Sequence, residues 1–313
     1  MKVLRILIIP ARRHIAESYC EYLVRYLGDE FWIDIGYPSI NNDSPLAKDP
    51  DDYDLIYPQF DTHWFLDEEK YKHKIINVQF ESGTRYPTIA ACTSQPVCKK
   101  MAEHKHHLRF GVDTELFKPF KQLKDDKFHI GFMGNIQTPR RYMKELVIPL
   151  ADLEGIKLDI YPTTWVKPRD DELENMGGAK VVENIVGGDK WLSGLPNLYN
   201  RMDAYIRADI NPGYQFSLLE AASCGIPIIT TDPGIGKEIC DAGGGIYVQC
   251  EEGNWEPPVL EDLSNRIKEA VSKIDKDMGI KGRSFVKQNY TWEKWIPEWR
   301  KFFKYAYNKV QSL

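Results

Sequence analysis

Apolar runs of strand length alternate with amphipathic stretches through residues 1–112. Strands are predicted at 3–9, 31–37, 54–59, 74–80, 89–93 and 108–110. Between the first two strands, Ile15, Tyr19, Leu23 and Leu27 mark one face of a helix. A further helix is predicted near 97–103. Strands that are separated by helices favour a parallel sheet with helices on both faces.

The same alternation resumes after a polar, lysine-rich linker at 113–126. Strands are predicted at 128–133, 157–161, 180–184 and 204–210, and helices near 142–153, 195–200 and 260–274. A second α/β unit is therefore expected. The last segment places four large aromatic side chains on one helical face, which is typical of a stripe that packs against a sheet. These side chains are Trp292, Trp295, Trp299 and Phe303.

The stretch from Asn211 to Cys240 is the most informative part of the chain. Gly213 permits a tight loop with exposed backbone groups. Helical spacing follows over 216–223, and Gly225 with Pro227 stops that helix. The stretch therefore predicts a glycine turn, a short helix and a sharp helix end.

Glu220 is the exception within that apolar helix, because a carboxylate needs a partner to offset its burial. The β-branched run at 226–231 that follows is typical of a strand covered on both faces. A loop that presents amide N–H groups at a helix N-terminus is an anion site. A buried carboxylate one turn further along can accept hydrogen bonds from a sugar diol. Together these features suit a nucleotide diphosphate with its ribose.

Composition narrows the choice of function. A net charge of −5 and a pI near 5.9 do not favour a nucleic-acid surface. Six cysteines without a CxxC pair favour a reduced, cytoplasmic setting. No apolar run approaches the ~20 residues of a membrane span, and the start of the chain predicts a strand instead of a signal peptide. Peripheral membrane contact stays open as an alternative.

The stretch around Glu220 resembles the GT-B glycosyltransferases, in particular glycosyltransferase family 4 (glycosyl transferases group 1). That family carries a loop and helix of the form E-G-F-G-x-x-x-L-E-A-x-A-C-G-x-P-V-I. The upstream run MDAYIRAD, the linker GVDTELFKP and the turns TDPGIGKEI and DAGGGIYV resemble further motifs of the same family. The matching residues of the loop and helix are Gly213, Tyr214, Leu219, Glu220, Ala221, Cys224, Gly225, Pro227 and Ile228.

This resemblance implies an α/β GT-B fold, in which two Rossmann-like domains face each other across a cleft. It implies a compact acceptor-binding domain at 1–112, a nucleotide-sugar-binding domain at 127–290, and a C-terminal helix at 291–313 that crosses back to the first domain. It also assigns Glu220 to the ribose hydroxyls. The donor-site residues that it implies are Gly134, Asn135, Arg140, Arg141, Gly213, Tyr214, Gln215, Phe216, Ser217, Leu218, Leu219 and Glu220.

Two positions of the loop depart from the family's pattern. The first glutamate, which in the family usually holds the transferred sugar, falls on Pro212, whose side chain cannot hydrogen-bond. The next glycine is replaced by Gln215, whose amide is a candidate to reach the sugar instead. Sugar positioning is therefore expected to differ here, or activity to be lost.

The expected diphosphate contacts depart from the pattern as well. The Gly-Arg of the family is Gly134–Asn135 here, and Arg140 and Arg141 stand where a phosphate-binding lysine would be. A guanidinium offers forked donors that fit a phosphate. A solvated basic helix start is the alternative.

Candidate catalytic groups lie where two strands of the first domain end. Asp61 and His63 follow the strand at 54–59, and Glu81 follows the strand at 74–80. Open α/β sheets bind their ligands at these carboxyl ends, and His63 can accept a proton near neutral pH. A structural role for the histidine is the alternative.

Three arginines are candidates for binding the substrate. Arg12 and Arg13 follow the first strand and are candidates for an anionic acceptor or for the donor diphosphate, with side chains that face water as the alternative. Arg85 follows the fourth strand. No metal site is predicted, since the DxD-like pair Asp52 and Asp54 lies at the edge of a polar loop.

The expected activity is retaining, metal-independent transfer of a sugar from a nucleotide sugar to a glycan, lipid-linked or other acceptor, with no cofactor required. A UDP-sugar is favoured as the donor and a GDP-sugar comes next. In the mechanism that the resemblance implies, the leaving phosphate helps to deprotonate the acceptor. One alternative is a catalytically inactive nucleotide-sugar-binding or scaffold protein, for which Pro212 argues. Another is a GT-B nucleotide-sugar epimerase.

Overall fold

The chain divides into two compact units in the computed structural model. One unit consists of Met1–Gly111 with Trp292–Leu313, and the other of Val112–Thr291. The functional division into acceptor and donor domains stays a prediction. The structure describes residues 3–10, 19–36, 48–59, 66–79, 89–93, 106–120, 125–134, 142–162, 180–181, 191–208, 215–250 and 256–312.

The first unit is built on short parallel strands. They are β1 (Arg5–Ile9), β2 (Trp32–Ile35), β3 (Leu55–Pro58), β4 (Asn77–Gln79), β5 (Ala90–Cys92) and β6 (His106–His107). Two groups form, in the orders β2-β1-β3 and β4-β5-β6. A parallel bridge between Ile56 and Ile75 joins them, and Ile76 N donates to Ile56 O at 2.8 Å. The parallel arrangement expected for this half is confirmed.

The strand predicted at 108–110 is wrong. The described strand in this region is β6, and Leu108 and Phe110 follow it as buried packing residues. Leu108 N still donates to Cys92 O at 2.8 Å. Cys92 is disulfide-bonded, which differs from the reduced cysteines that the sequence favours. An alternation of apolar residues indicates which side chains are buried. Over only three residues it does not indicate where the strand pairing ends.

The C-terminal helix carries the aromatic stripe predicted from the sequence. The helices of this unit are α1 (Glu21–Leu27), α2 (Glu68–Tyr71) and α8 (Trp292–Gln311), with a short 3-10 helix at Pro50–Asp52. Trp292 and Trp299 are almost fully buried, and Trp292 stacks on Tyr22 of α1 with ring centroids 5.3 Å apart. Trp299 Nε1 donates to Arg109 O at 2.8 Å. The packing stripe is therefore confirmed for Trp292, Trp299 and Phe303, which are buried, whereas Trp295 is half-buried.

The second unit contains one parallel sheet with the strand order of dinucleotide-binding domains. Its strands are β7 (Phe128–Gly134), β8 (Ile156–Pro162), β9 (Lys180–Val181), β10 (Ala204–Arg207), β11 (Ile228–Thr230) and β12 (Gly245–Tyr247). They are arranged β12-β11-β10-β7-β8-β9, and every pair is parallel. The chain builds outward from β7 to β9 and then restarts at β10 on the other side. The order therefore reverses between β7 and β10.

The helix predicted at 142–153 is not an α-helix. A π-helical turn at Met143–Val147 passes directly into a 3-10 helix at Ile148–Asp152. Pro149 explains the break, because it has no N–H to donate to the carbonyl four residues before it. No helix in the described ranges is long and apolar enough to cross a membrane. The α-helices of this unit are α3 (Trp191–Tyr199), α4 (Phe216–Ser223), α5 (Ile235–Asp241), α6 (Pro257–Ser272) and α7 (Lys276–Asn289).

The two faces of the second sheet differ in chemistry. One face is apolar, and Ile206 and Ala208 belong to a core cluster with Leu263 and Ile267 of α6. Side chains alternate along a strand, so Tyr205 and Arg207 point to the opposite face. That second face carries the polar groups of the candidate site.

α7 crosses very close to the end of α4. A Cβ on Gly279 would lie 2.0 Å from Gly225 O, and a Cβ on Gly282 would lie 3.2 Å from Gly244 Cα. The approach at Gly279 leaves no room for a side chain, and a side chain at 282 would require the turn after α5 to shift by a few tenths of an ångström. The same glycines lower helix propensity, which is why the sequence does not predict α7.

The segment that enters the second unit is tied to it by side chains. Asn200 Oδ1 accepts from Phe120 N at 2.9 Å, and Asn200 Nδ2 donates to Lys118 O at 3.1 Å. Ser223 Oγ donates to Phe117 O at 2.6 Å, and Arg283 Nη1 donates to the same oxygen at 3.0 Å. This part of the GVDTELFKP run is therefore a fixed part of the second unit.

Candidate functional site

A crevice opens where β7 and β10 stop pairing. The two strands are in register only at Ala204 with Ile130 and at Tyr205 with Gly131. On its other side, β7 stays paired with β8 as far as Gly134. Ligands of open α/β sheets bind at such a reversal, outside the carboxyl ends of the strands. The topology therefore places the candidate site beyond Gly131 and Tyr205.

Helix α4 begins beside this crevice and is apolar along most of its length. Its N-cap residue, Gln215, has an extended backbone and makes no side-chain hydrogen bond to the first turn. Leu218 and Leu219 are fully buried, so their side chains serve packing. Glu220 lies one turn into the helix and is only 7% exposed.

Tyr199 is the partner that the burial of Glu220 requires. The Tyr199 hydroxyl, at the end of α3, donates to Glu220 Oε2 at 2.7 Å. Burial raises the pKa of Glu220 to about 7, although the bond from Tyr199 acts in the opposite direction. Among the described residues, no group donates to Oε1. The carboxylate thus combines one satisfied oxygen with one that is available to a ligand hydroxyl.

Arg207 and Tyr205 converge on the carbonyl oxygen of Met133. Arg207 Nη1 donates to Met133 O at 3.0 Å, and the Tyr205 hydroxyl donates to it at 3.2 Å. Both Arg207 and Tyr205 are buried. Side-chain bonds therefore replace the backbone ladder where β7 and β10 separate.

Helix α5 begins at the same sheet edge but is capped by the chain itself. Asp232 follows β11 and is fully buried. Its carboxylate accepts from Gly236 N at 2.8 Å and from Gly234 N at 3.2 Å. A Cβ on Gly236 would lie 2.7 Å from Thr230 Cγ2, so the first turn packs tightly against β11. An internal anion already occupies this helix start.

Seven of the residues predicted for the donor site are described. All seven lie at or next to the carboxyl edge of the second sheet: Gly134 ends β7, Gln215 precedes α4, and Phe216, Ser217, Leu218, Leu219 and Glu220 form its first five residues. Their roles toward a ligand stay predictions. The other predicted site residues lie outside the described ranges: Asn135, Arg140, Arg141, Gly213, Tyr214, Asp61, His63, Glu81, Arg12, Arg13 and Arg85.

Three polar residues of this edge were not predicted from the sequence. Tyr199 is the last residue of a short helix. The only signal for it was indirect, since the buried carboxylate of Glu220 needs a hydrogen-bond donor. Arg207 is one charged residue in an apolar strand, and a period of two would have set it apart from the core. Asp232 precedes a Pro-Gly turn, which is a recognisable capping signal.

One residue of the acidic pair Asp52 and Asp54, which was considered as a metal site, has a structural role. Asp54 Oδ2 accepts from Arg5 N at 2.9 Å at the start of β1. Asp52 ends the exposed 3-10 helix. Within the described ranges, no three His, Cys, Asp or Glu side chains are grouped so as to hold a metal ion.

Known proteins match this chain weakly in sequence. No family model matches it. The GtfA subunit of the UDP-N-acetylglucosamine–peptide N-acetylglucosaminyltransferase from Streptococcus parasanguinis is 23% identical over 116 residues, which cover 36% of this chain and 23% of that protein. The D-inositol 3-phosphate glycosyltransferase from Paenarthrobacter aurescens is 27% identical over 173 residues, which cover 49% and 41%.

A protein of a different kind also matches. The tRNA modification GTPase MnmE from Symbiobacterium thermophilum is 20% identical over 162 residues, which cover 44% of this chain and 35% of that protein. The chain spans less than half the length of each of these curated relatives. The sequence matches alone therefore carry no whole-protein activity over to this chain.

Solved structures match along nearly the whole chain. Sucrose-phosphate synthase from Thermosynechococcus elongatus has a TM-score of 0.71 at 14% identity, covering 97% of this chain and 99% of that one. Anabaena Alr3699/HepE, solved in complex with UDP and glucose, has a TM-score of 0.64 at 13% identity, covering 99% and 100%. At such low identity the likeness shows the fold. The GT-B fold predicted from the sequence is confirmed.

Proposed function

We propose that this GT-B chain is a glycosyltransferase that moves a sugar from a nucleotide sugar to an acceptor, and that its second unit holds the nucleotide. One observation carries the proposal. At the reversal point of a sheet with dinucleotide-binding order, a buried carboxylate keeps one oxygen without a donor among the described residues. An apolar helix would not retain such a group for stability alone.

Glu220 is assigned to the ribose of the donor. Two vicinal hydroxyls are donors of suitable number and spacing for a carboxylate, and hydrogen bonds to its charged form favour ionisation. Tyr199 orients the side chain from the opposite side. The nucleotide thereby relieves part of the penalty that burial imposes on this group.

The diphosphate is assigned to the start of α4 and to Arg140 and Arg141. A helix N-terminus contributes about 0.3–1 kcal/mol to an exposed anion. A cation 4 Å from a phosphate oxygen gains about 4 kcal/mol at an effective dielectric near 20, before desolvation. The arginines therefore carry most of the assigned attraction, and the helix end sets its direction.

A UDP-sugar is the favoured donor and a GDP-sugar the next. Support comes from Alr3699/HepE, which was solved with UDP and with UDP-glucose, and from the pneumococcal O-GlcNAc transferase GtfA, which was solved with UDP and GlcNAc. The proposed reaction retains anomeric configuration. It needs no metal, because fixed cations stabilise the leaving diphosphate. Orientation of the acceptor supplies much of the remaining rate enhancement.

The acceptor side is assigned to the first unit. Asp61, His63 and Glu81 are proposed as its catalytic groups, and Arg12, Arg13 and Arg85 as its binding groups. The acceptor is a glycan, a lipid-linked sugar or a related molecule. A lipid-linked acceptor would bring the protein to a membrane surface without a membrane-spanning helix.

Isothermal titration with UDP, GDP and ADP tests the nucleotide site directly. At least one nucleotide is expected to bind at millimolar concentration or better, with UDP the tightest. Glu220→Gln should weaken UDP binding about tenfold or more, because a hydrogen bond to a charged group is lost. Glu269→Gln, which removes an exposed carboxylate on α6, is the matched control and should leave binding unchanged.

Two outcomes reject the proposal. The first is a wild-type protein that binds none of the three nucleotides. The second is a protein with Arg140→Glu, Arg141→Glu and Glu220→Gln together that binds UDP as the wild type does. Transfer of labelled sugar from UDP-sugars to an array of glycans then tests the reaction itself.

A nucleotide-sugar-binding protein without transferase activity is the second candidate function. Pro212 favours it, since a ring without hydrogen-bonding groups stands where the family's sugar-holding carboxylate is expected. The two candidates differ in one measurement. A transferase hydrolyses or transfers its bound donor over hours, whereas an inactive protein binds UDP-sugar and leaves it intact.

A further inference from the structure

An exposed tryptophan stands on the first unit's sheet, outside the site described above. Trp32 is the first residue of β2 and is 57% exposed, although aromatic side chains of this size normally bury most of their surface. Its ring is nevertheless held in place, since Trp32 Nε1 donates to Asp34 Oδ2 at 2.8 Å. A fixed indole that faces solvent offers a flat apolar surface to a ligand.

Arg5 lies over this ring from the neighbouring strand. Arg5 and Trp32 are register partners of β1 and β2, so their side chains stand on the same face of the sheet. Arg5 Cζ is 5.5 Å from the centroid of the Trp32 ring and 5.3 Å from that of Tyr53. Its Nε is buried without an acceptor, and no group in the described part of the chain accepts a hydrogen bond from the guanidinium. The two rings therefore position the cation, and its forked donors remain for a ligand.

Asp34 supplies a hydrogen-bond acceptor beside the same ring. Its Oδ2 accepts from the Tyr53 hydroxyl at 2.6 Å as well as from Trp32. Burial alone would raise the pKa of Asp34, but these two bonds and the charges of Lys48 and Arg5 bring it below its ordinary value, so the group stays ionised. Oδ1 lies 3.7 Å from Lys48 Nζ, which is too long for a hydrogen bond. Since a surface ion pair of this kind contributes little, Oδ1 can accept from a ligand hydroxyl.

We propose that Arg5, Trp32 and Asp34 bind a sugar ring of a carbohydrate chain. The guanidinium only donates hydrogen bonds and the carboxylate only accepts them, so a ligand that satisfies both needs donors and acceptors together. The hydroxyl groups of a sugar have both capacities, and the C–H groups of its ring form an apolar face that can stack on the indole. A phosphate or another anion fits less well, because the carboxylate of Asp34 would repel it.

This sugar site differs in position from the proposed reaction site. Arg5 and Trp32 begin β1 and β2, whereas the catalytic groups proposed for the first unit follow the carboxyl ends of its strands in the sequence. The five residues of β1 span about 13 Å. The inference therefore goes beyond the proposed function, since a glycan held at this edge of the sheet would be bound whether or not a nucleotide is present.

An array of neutral, amino-sugar and anionic oligosaccharides, probed with the labelled protein, tests the proposal. At least one neutral or amino-sugar oligosaccharide should bind, and NMR titration then gives its Kd. Trp32→Ala should weaken this binding about tenfold or more, because the stacking surface is lost. Arg5→Gln should weaken it about three- to tenfold through the loss of a charged donor.

Two variants serve as controls. Ile280→Ala removes another exposed apolar side chain, on α7 of the second unit, and should bind the oligosaccharide within twofold of the wild type. Glu220→Gln should also bind it like the wild type, so that a defect in nucleotide binding and a defect at this site are told apart.

Three results would overturn the inference. The first is a wild-type protein that binds no oligosaccharide of the array. The second is equal binding by the wild type and Trp32→Ala, which would place the glycan elsewhere. The third is binding of anionic oligosaccharides alone that Arg5→Gln abolishes and Trp32→Ala retains, which would indicate a charge site without stacking.

Fluorine NMR decides the matter if a variant does not fold. The Trp32 resonance of wild-type protein labelled with 5-fluorotryptophan is assigned by its absence from Trp32→Phe. It should shift when the bound oligosaccharide is added and stay in place when UDP is added. A Trp32 resonance that the oligosaccharide leaves unchanged rejects this site, while the proposed nucleotide site is judged separately by its own titrations.

Discussion

Helices α4 and α5 begin at the same edge of one sheet, yet their first turns are treated in opposite ways. The first turn of α5 receives the carboxylate of Asp232, which bonds to Gly234 N and Gly236 N. The N-cap of α4 is Gln215, which gives its first turn no side-chain bond. The two helix starts thus occupy equivalent positions at the edge of the sheet but differ in how their first turns are hydrogen-bonded.

The difference separates a structural helix start from one that is suited to a ligand. An internal carboxylate satisfies the N–H groups of α5 and opposes the positive end of its dipole. At α4, the acidic residue lies one turn inside the helix, where it cannot cap. The first arrangement stabilises the domain, and the second agrees with the binding role proposed for α4.

Removal of the internal cap should have the largest effect on stability. Asp232→Ala leaves two backbone N–H groups without their carboxylate in a fully buried setting, which should cost about 2–4 kcal/mol in the free energy of unfolding. Urea denaturation measures this loss. Asp241→Ala, at the exposed end of the same helix, should cost under about 0.5 kcal/mol. Equal losses for the two variants would contradict the capping role.

The buried carboxylate of α4 should reduce stability as pH rises. Its folded-state pKa of about 7 exceeds the ordinary value of 4.5, so the folded state binds the proton more tightly. The free energy of unfolding should therefore fall between pH 4.5 and 7, by at most roughly 3 kcal/mol. Glu220→Gln should remove this slope and be the more stable protein at pH 8. If the free energy of unfolding depends on pH in the same way for wild type and variant, burial does not raise the pKa of Glu220.

Nucleotide affinity should have the opposite dependence on pH. If ribose hydroxyls bind the ionised form of Glu220, UDP should bind about tenfold more weakly at pH 6 than at pH 8, because the carboxyl must first lose its proton. The terminal phosphate of UDP also titrates near pH 6. Glu220→Gln shares that contribution, so the difference between the two proteins isolates the carboxyl. An identical pH profile in calorimetric titrations would remove Glu220 from the site.

The N-cap of α4 should matter least for stability. Gln215→Ala removes no cap hydrogen bond, so the free energy of unfolding should stay within about 0.5 kcal/mol. If the amide of Gln215 positions the sugar, turnover of the donor should still fall several-fold in a transfer assay. Gln288→Ala on α7 is the control. Unchanged turnover in both variants would remove Gln215 from the sugar site.

Local signals were enough for much of the fold. The strand expected at 128–133 is Phe128–Gly134, and the helix over 216–223 stops as predicted at Gly225, whose φ is +75°. The prediction of a helix at 142–153 failed at Pro149, because it followed the helical spacing of the apolar residues and gave too little weight to the missing N–H of the proline. These cases show that periodicity identifies buried faces, while single residues decide the type of helix.

The candidate site was predictable only in part. Glu220 could be identified because its burial contradicts its chemistry. Its donor, Tyr199, lies 21 residues away along the chain, and only tertiary packing brings the two together. Arg207 has the same limitation, since its bond to Met133 spans 74 residues. Long-range pairs of this kind leave no periodic trace in the sequence.

The contact between Gly279 and Gly225 has a consequence for the far end of α4. A methyl group at position 279 would collide with the Gly225 carbonyl, so α7 or the end of α4 would have to move. Eight residues of helix span only about 12 Å, so Gly225 is close to the first turn of α4, to which the proposed function assigns the diphosphate. If α4 is the element that moves, a substitution in α7 would weaken nucleotide binding although it replaces no residue of the proposed site.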